Sequence, residues 1–331
     1  MWFEELTGFS EENHHQVQQY IEIQGKYLLS KVNGSSFQFG KLEIPQLSDL
    51  RLRSQHLPKG TASIRVSEHV GNIQDFHCDP INDGALFQAA SQFNLLEMVG
   101  PDVTPERGVG IYEYDKTQGP ACAISCGAGT IFRNYFAEVN GLRGQTKTNQ
   151  INCLKEIGHA LGNENESLWQ MKNGYALPNV QGLKQANDII SNLSPEAYDQ
   201  LKALLRIGIQ WDTQVTLNGS SSIVSQAYCS GLPVSYSSIP QSEWEPFARM
   251  VLEASYEATF HAGLINYHNT GNPNVYLTLV GGGAFGNSTA WIFDALRLCF
   301  TQFKSEPLDV RIVSYGRSNP VIQDLIASLK D

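Results

Sequence analysis

Gly281, Gly282, Gly283 and Gly286 fall within seven residues, after an apolar run at 275–280 and before a helical pattern at 289–303. Glycines at the end of a strand let the backbone turn tightly with its amides pointing inward, and a helix opening just beyond adds the positive end of its dipole. Gly281, Gly282, Gly283, Ala284, Phe285, Gly286 and Asn287 are therefore expected to cradle a phosphate without any basic side chain, with Asn287, Ser288 or Thr289 capping the helix. A tight turn made for close packing is the plain alternative. No Gly-Lys-Ser/Thr closes the loop, so it is not of the Walker type, and it does not open a fold as a dinucleotide fingerprint does.

The second chemically dense stretch is 88–120. Gln88, Ser91, Gln92 and Asn94 place amides and a hydroxyl at the end of an apolar strand (84–90), where open α/β sheets bind ligands. Glu97, Asp102, Glu106, Glu113 and Asp115 follow in a polar loop. A carboxylate near a sugar C1 can stabilise oxocarbenium character, activate water or supply the leaving group's proton. Asp115, Glu106 and Glu97 are the candidate catalytic acids, and solvated loop acids are the plain reading of each. Thr117 is placed to cap a helix starting at Gln118, Gly119 and Pro120, whose first amides would also face an anion.

Other chemistries find less footing. The acids show neither tight Asp-Asp pairing nor regular ligand spacing, so no metal is assigned, although clustered carboxylates could hold Mg²⁺. His77-Cys78-Asp79 stands alone, and Glu257, His261 and His268 share a helix face without a nearby cysteine. The six cysteines form no CxxC pair and read as reduced, buried thiols. No glycine elbow surrounds a serine or cysteine nucleophile.

The elements that must position these groups belong to a globular α/β chain. Its 331 residues are 41% hydrophobic and 17% charged, with net charge -10. That balance disfavours nucleic acid, and no basic stripe reverses it. The N-terminus carries acids where a signal peptide needs basic residues, and no stretch reaches membrane-spanning length, which predicts a cytoplasmic protein. A helix is expected over 11–31, extended segments over 37–66, a helix after Pro120, mixed helical signals over 143–206, and a long helix over 244–267. Strand, glycine loop, helix and strand then follow in order from 275 to 313, ahead of a terminal helix at 320–329. This order predicts a mostly parallel sheet covered by helices. Residues 1–60 read as an added layer and 61–331 as the ligand domain, with a largely helical insertion around 143–206.

Three stretches carry a family resemblance. Val66 to Ile73 (VSEHVGNI) resembles the opening of macrodomains, with Asn72 at the polar position of their Gly-Asp-Ile. Phe87 to Ser91 (FQAAS) resembles their Val-Asn-Ala-Ala-Asn strand end, and Val280 to Asn287 (VGGGAFGN) resembles their second phosphate loop. FQAASQFNLLEM, TPERGVGIYEYD and TQGPACAISCGAGTIFRNYF more narrowly resemble a divergent branch of bacterial effector ADP-ribosylhydrolases acting on arginine-linked ADP-ribose. The resemblance implies a three-layer α/β/α fold with a mixed central sheet. It also implies ADP-ribose as ligand or product, with no cofactor required, and an ADP-ribosylated protein as partner. Gln88, Ser91 and Asn94 would then serve the distal ribose, Asn72, Ile73 and Asp75 (or Asp79) the adenine side, and 281–287 with Thr117, Gln118 and Gly119 the diphosphate. An effector would work in a host cytosol. The triple glycine of the first macrodomain loop is absent, as is the glycohydrolase motif of triple glycine followed by Gln-Glu-Glu, which removes support for cleavage between ADP-ribose units. A non-catalytic ADP-ribose reader is the alternative function.

Overall fold

A computed structural model describes residues 1–58 and 62–329; the boundary expected at residues 60 and 61 lies outside them. Seven strands form the central sheet, numbered here in chain order: β1 Lys41–Glu43, β2 Arg65–Val70, β3 Leu86–Ala90, β4 Gly208–Gln214, β5 Ile223–Cys229, β6 Asn274–Leu277 and β7 Asp309–Ser314. Their order across the sheet is β1-β4-β5-β3-β6-β7-β2. β4 runs antiparallel to both β1 and β5, whereas β5, β3, β6, β7 and β2 are mutually parallel. The centre of such a sheet is covered on both faces, which is why β3 and β6 are nearly all buried rather than alternating.

Side-chain alternation along β3 shows the two covering layers. Phe87 stacks on His77 of helix Ile73–Cys78, with ring centroids 3.7 Å apart. Its neighbour Gln88 points the other way and donates to Thr259 Oγ1 of helix Glu245–Thr270 at 2.8 Å. Helices Ile73–Cys78, Gln118–Ser125 and Gly127–Tyr135 thus share one face, and Glu245–Thr270 with Thr289–Gln302 cover the other. The fold is a mixed α/β sheet between two helical layers.

Several local expectations need correction. The segment 11–31 is not one helix: His14–Tyr20 is helical, and Ile21–Gln24 pairs with Tyr27–Ser30 as a hairpin. Gly25, at φ +60°, makes the two-residue turn, and apolar residues that fit helical spacing also fit strand alternation. Within 37–66, residues Leu47–Gln55 form a helix, capped by reciprocal bonds between Gln46 and Asp49. The helix after Pro120 breaks at Cys126, where the Gly127 amide donates to Thr216 Oγ1 at 3.0 Å instead of continuing the ladder. The 143–206 segment holds helices Lys155–Leu161, Val180–Ser191 and Pro195–Lys202, together with an antiparallel hairpin, Trp169–Lys172 with Tyr175–Pro178.

The N-terminal residues build a second apolar core against the acid-bearing loop. Phe3, Val17, Ile21, Leu28 and Phe39 pack with Leu96, Met98, Val109, Tyr112 and Ile131. Glu11 adds a polar clamp, accepting the Val109 and Gly110 amides at 2.9 and 2.6 Å and the Tyr135 hydroxyl at 2.5 Å. The layer therefore fixes the loop that carries the candidate acids.

Candidate active site

The carboxyl ends of β3, β5 and β6 open onto a cavity of about 270 Å³. Its walls include Ser91 and Gln92 after β3, Gly231 after β5, Gly281 to Phe285 after β6, and Thr117 to Pro120 at a helix start. The glycine loop is held from below. The buried Tyr256 of the long helix donates its hydroxyl to Thr278 O and accepts the Val280 amide, both at 2.9 Å. Gly281, Gly283 and Gly286 have φ of +73°, +50° and +74°, values other residues adopt only with strain. A Cβ on Gly231 would lie 2.8 Å from the Gly281 Cα, so two backbones meet where a side chain has no room. Asn287 does not reach the cavity; its Nδ2 donates to Leu232 O and Gly281 O, closing the loop. Gly286 is likewise absent from the wall. The helix at Thr289 begins at Ser288 with no side-chain cap.

Across from this loop, helix Gln118–Ser125 starts against the end of β3. Thr117 takes the N-cap position without a side-chain cap bond, and Asp115 Oδ1 instead accepts the Thr117 amide at 2.8 Å. A Cβ on Gly119 would sit 2.1 Å from Ala90 O and 2.5 Å from Glu97 Oε2, so glycine lets the helix start touch both strand end and acid.

Glu97 is 5% exposed and its Oε1 has no hydrogen-bond partner. Burial pushes its carboxyl well above the usual carboxylate range; nearby Arg133 opposes that and Asp115 adds to it. Its backbone is pinned on each side. The Glu97 amide donates to Tyr112 Oη at 2.9 Å, the Met98 amide to Gln92 Oε1 at 2.9 Å, and Tyr175 Oη to Met98 O at 2.7 Å. Leu95, at φ +65°, turns the chain so that Glu97 faces the cavity.

Glu97, Val99 and Asp115 also line a second, wider groove of about 870 Å³, with Asp102, Glu106, Arg107, Tyr114 and Lys116 on its other walls. The two acids thus stand on the partition between the cavities. Glu106 belongs to the outer groove only. Burial raises its carboxyl, but the Lys147 and Thr104 hydrogen bonds more than offset this and leave it below the usual range. Asp102 pairs with Lys172. A third cavity shares Thr278 and Leu279 with the first and continues along the ends of β6 and β7 past Ser314, Tyr315 and Asn319.

The structure separates other residues from these cavities. Gln88 points towards helix Glu245–Thr270, its Nε2 bonded to Thr259 and its Oε1 accepting the Thr278 amide, while its backbone carbonyl accepts from Gln118 Nε2. Asn94 is fully buried, donating to Gln150 and packing under Gly174 of the inserted hairpin. Asn72 caps helix Ile73–Cys78 through the Gln74 amide, Ile73 is core, and Asp75 lies in the helix's first turn; none of the three lines the described cavities. Tyr175, Tyr236 and Gly231 do line the main cavity, and the sequence reading missed them. Tyr175, Tyr236 and Phe285 form one aromatic cluster with centroids 5.0–5.6 Å apart. The glycine after β5 and the Asn173-Gly174 turn before Tyr175 were the available signals. Among the described residues no group of three or more His, Cys, Asp or Glu could hold a metal ion, and no helix is long and apolar enough to cross a membrane.

No protein-family model and no curated protein matches this sequence. Solved structures that do match include the poly(ADP-ribose) glycohydrolase of Deinococcus radiodurans in complex with ADP-ribose, at 11% identity and TM-score 0.48, covering 87% of this chain and 94% of that one. The glycohydrolase of Thermomonospora curvata bound to the inhibitor ADP-HPD matches at 9% identity and TM-score 0.45, covering 95% of each chain. The resemblance to arginine-type effector hydrolases is corrected accordingly: the structures matched are bacterial poly(ADP-ribose) glycohydrolases.

Proposed function

We propose that this chain binds an ADP-ribosyl group along the strand ends and hydrolyses its bond at C1 of the distal ribose. The observation that carries this reading is the partition formed by Glu97 and Asp115, with a glycine-lined cavity on one side and an open groove on the other. Backbone amides of 281–285 and the start of helix Gln118–Ser125 would receive the diphosphate. The nucleoside base would lie in the adjoining cavity, against Tyr315, a residue 82% exposed.

Burial raises the Glu97 carboxyl well above the usual carboxylate range, the direction that suits a proton donor. Asp115, at the half-buried mouth, orients water and stabilises positive charge at C1. The water oxygen bonds to C1 as its proton passes to Asp115. The bond from C1 to the leaving group breaks, and that group takes the Glu97 proton. The group released occupies the outer groove. A protein side chain is the substrate we favour, and arginine is the linkage an acid-lined groove supports as a cation.

The test is release of free ADP-ribose from arginine-, serine- and glutamate-linked protein and from poly(ADP-ribose). Glu97→Gln and Asp115→Asn should each lower turnover about 10²- to 10⁴-fold while ADP-ribose still binds. Intact binding with no turnover of any substrate would leave a reader and sink the hydrolase reading.

A further inference from the structure

Arg133, on helix Gly127–Tyr135, is 1% exposed and carries a charge that meets no carboxylate in an ion pair among the described residues. Its Nε donates to Leu95 O at 3.2 Å, its Nη2 to Thr130 Oγ1 at 3.0 Å, and its guanidinium lies 3.7 Å over the Tyr228 ring. Nη1 has no hydrogen-bond partner, and among the described residues the guanidinium forms no ion pair. Burying a cation without an opposite charge opposes folding, because its hydration is lost and no ion pair repays it. A hydrophobic residue of that volume would be the ordinary occupant, so the charge calls for another explanation.

The buried acid that feels this charge is Glu97, whose Oε1 is itself unpartnered. Arg133 is tied to Leu95, two residues before Glu97, and its own carbonyl accepts from Gln145, which also donates to Asn94 O. The guanidinium and the loop bearing the acid are therefore one rigid unit. We propose that Arg133 is a positioning residue of the reaction, its buried cation stabilising the negative charge that Glu97 acquires on giving its proton to the leaving group. With its proton in place Glu97 is neutral; once that proton has left, carboxylate and guanidinium compensate each other within the buried interior. The other groups around Glu97 cannot do this. Asp115, further along the same loop, adds negative charge, and Tyr112, Cys122, Tyr175 and Tyr228 are neutral.

This inference rests on the hydrolase reading, so its test has a readout that does not need turnover. The Glu97 side-chain carboxyl carbon is followed by NMR against pH in wild type, Arg133→Lys, Arg133→Met and Arg133→Gln, beside the pH profile of kcat/KM. In the two neutral variants the Glu97 titration should move up by about one pH unit, a tenfold change in proton affinity. The alkaline limb of the activity profile should move with it, and kcat should fall more than KM rises. Arg133→Lys should stay near wild type in both. An unmoved Glu97 titration in the neutral variants would overturn the proposal, as would folding of Arg133→Lys under conditions where neither neutral variant folds. A shifted titration in a protein that hydrolyses nothing would uphold the pairing and refute the hydrolase reading.

Discussion

Replacing Glu97 with Gln tests the electrostatics of the site without any substrate. The change keeps the shape and removes the titrating proton. Glu97 has its carboxyl raised by burial, so the folded protein holds that proton more tightly than the unfolded chain. The associated stability is full below the unfolded value, ordinarily near 4.5, and is lost as pH rises through the folded value. Each pH unit in that window costs the wild type about 1.4 kcal/mol for the one proton. Glu97→Gln has no such slope. Urea unfolding of both proteins at intervals from pH 4.5 to 7.5 should show the variant gaining on the wild type as pH rises, by about that amount per unit until the folded value is passed. A stability difference independent of pH would mean that Glu97 titrates as an ordinary surface carboxylate, and the proton-donor role would fall with it.

Other perturbations separate the parts of the site. Gly119→Ala places a methyl within contact distance of Ala90 O and Glu97 Oε2; it should destabilise by about 1–3 kcal/mol and weaken ADP-ribose binding, measured by thermal unfolding and calorimetry. Tyr315→Ala should weaken ADP-ribose binding by on the order of tenfold and leave binding of ribose 5-phosphate unchanged, since base stacking contributes about 1–3 kcal/mol. Glu68 accepts from Ser314 and Ser318 hydroxyls, the Asn319 amide and Gln323; burial raises its carboxyl, but these bonds outweigh that and hold it at about 2. The order it gives the loop after β7 should therefore persist down to the usual carboxylate range and fade as pH falls towards 2, seen as loss of hydrogen-exchange protection at Asn319.

The parts of this molecule that were legible in the sequence are those whose signal is local. The glycines at 281–286 and the apolar run before them specify a strand, a turn and a helix start whatever surrounds them. Gln88 lies outside the cavity wall, since a strand end shows that side chains alternate but not which face each takes; its amide is matched to Thr259, 171 residues away. Asn94 is likewise outside the wall, because Leu95 at positive φ redirects the chain, and no local feature announces that turn. Tyr175 reaches the cavity wall, and Arg133 the Leu95 carbonyl, only through tertiary packing, the first from an inserted hairpin and the second from the far end of a broken helix. The acids were visible as a set, but only burial separates Glu97 from Glu106.

The proposed hydrolysis depends on where the distal ribose lies, and a crystal structure of Glu97→Gln with ADP-ribose answers that most directly. The diphosphate is predicted on the amides of 281–285, the base against Tyr315, and C1 of the distal ribose between positions 97 and 115, open to the outer groove. A distal ribose directed away from both acids, or a diphosphate bound elsewhere, would contradict it.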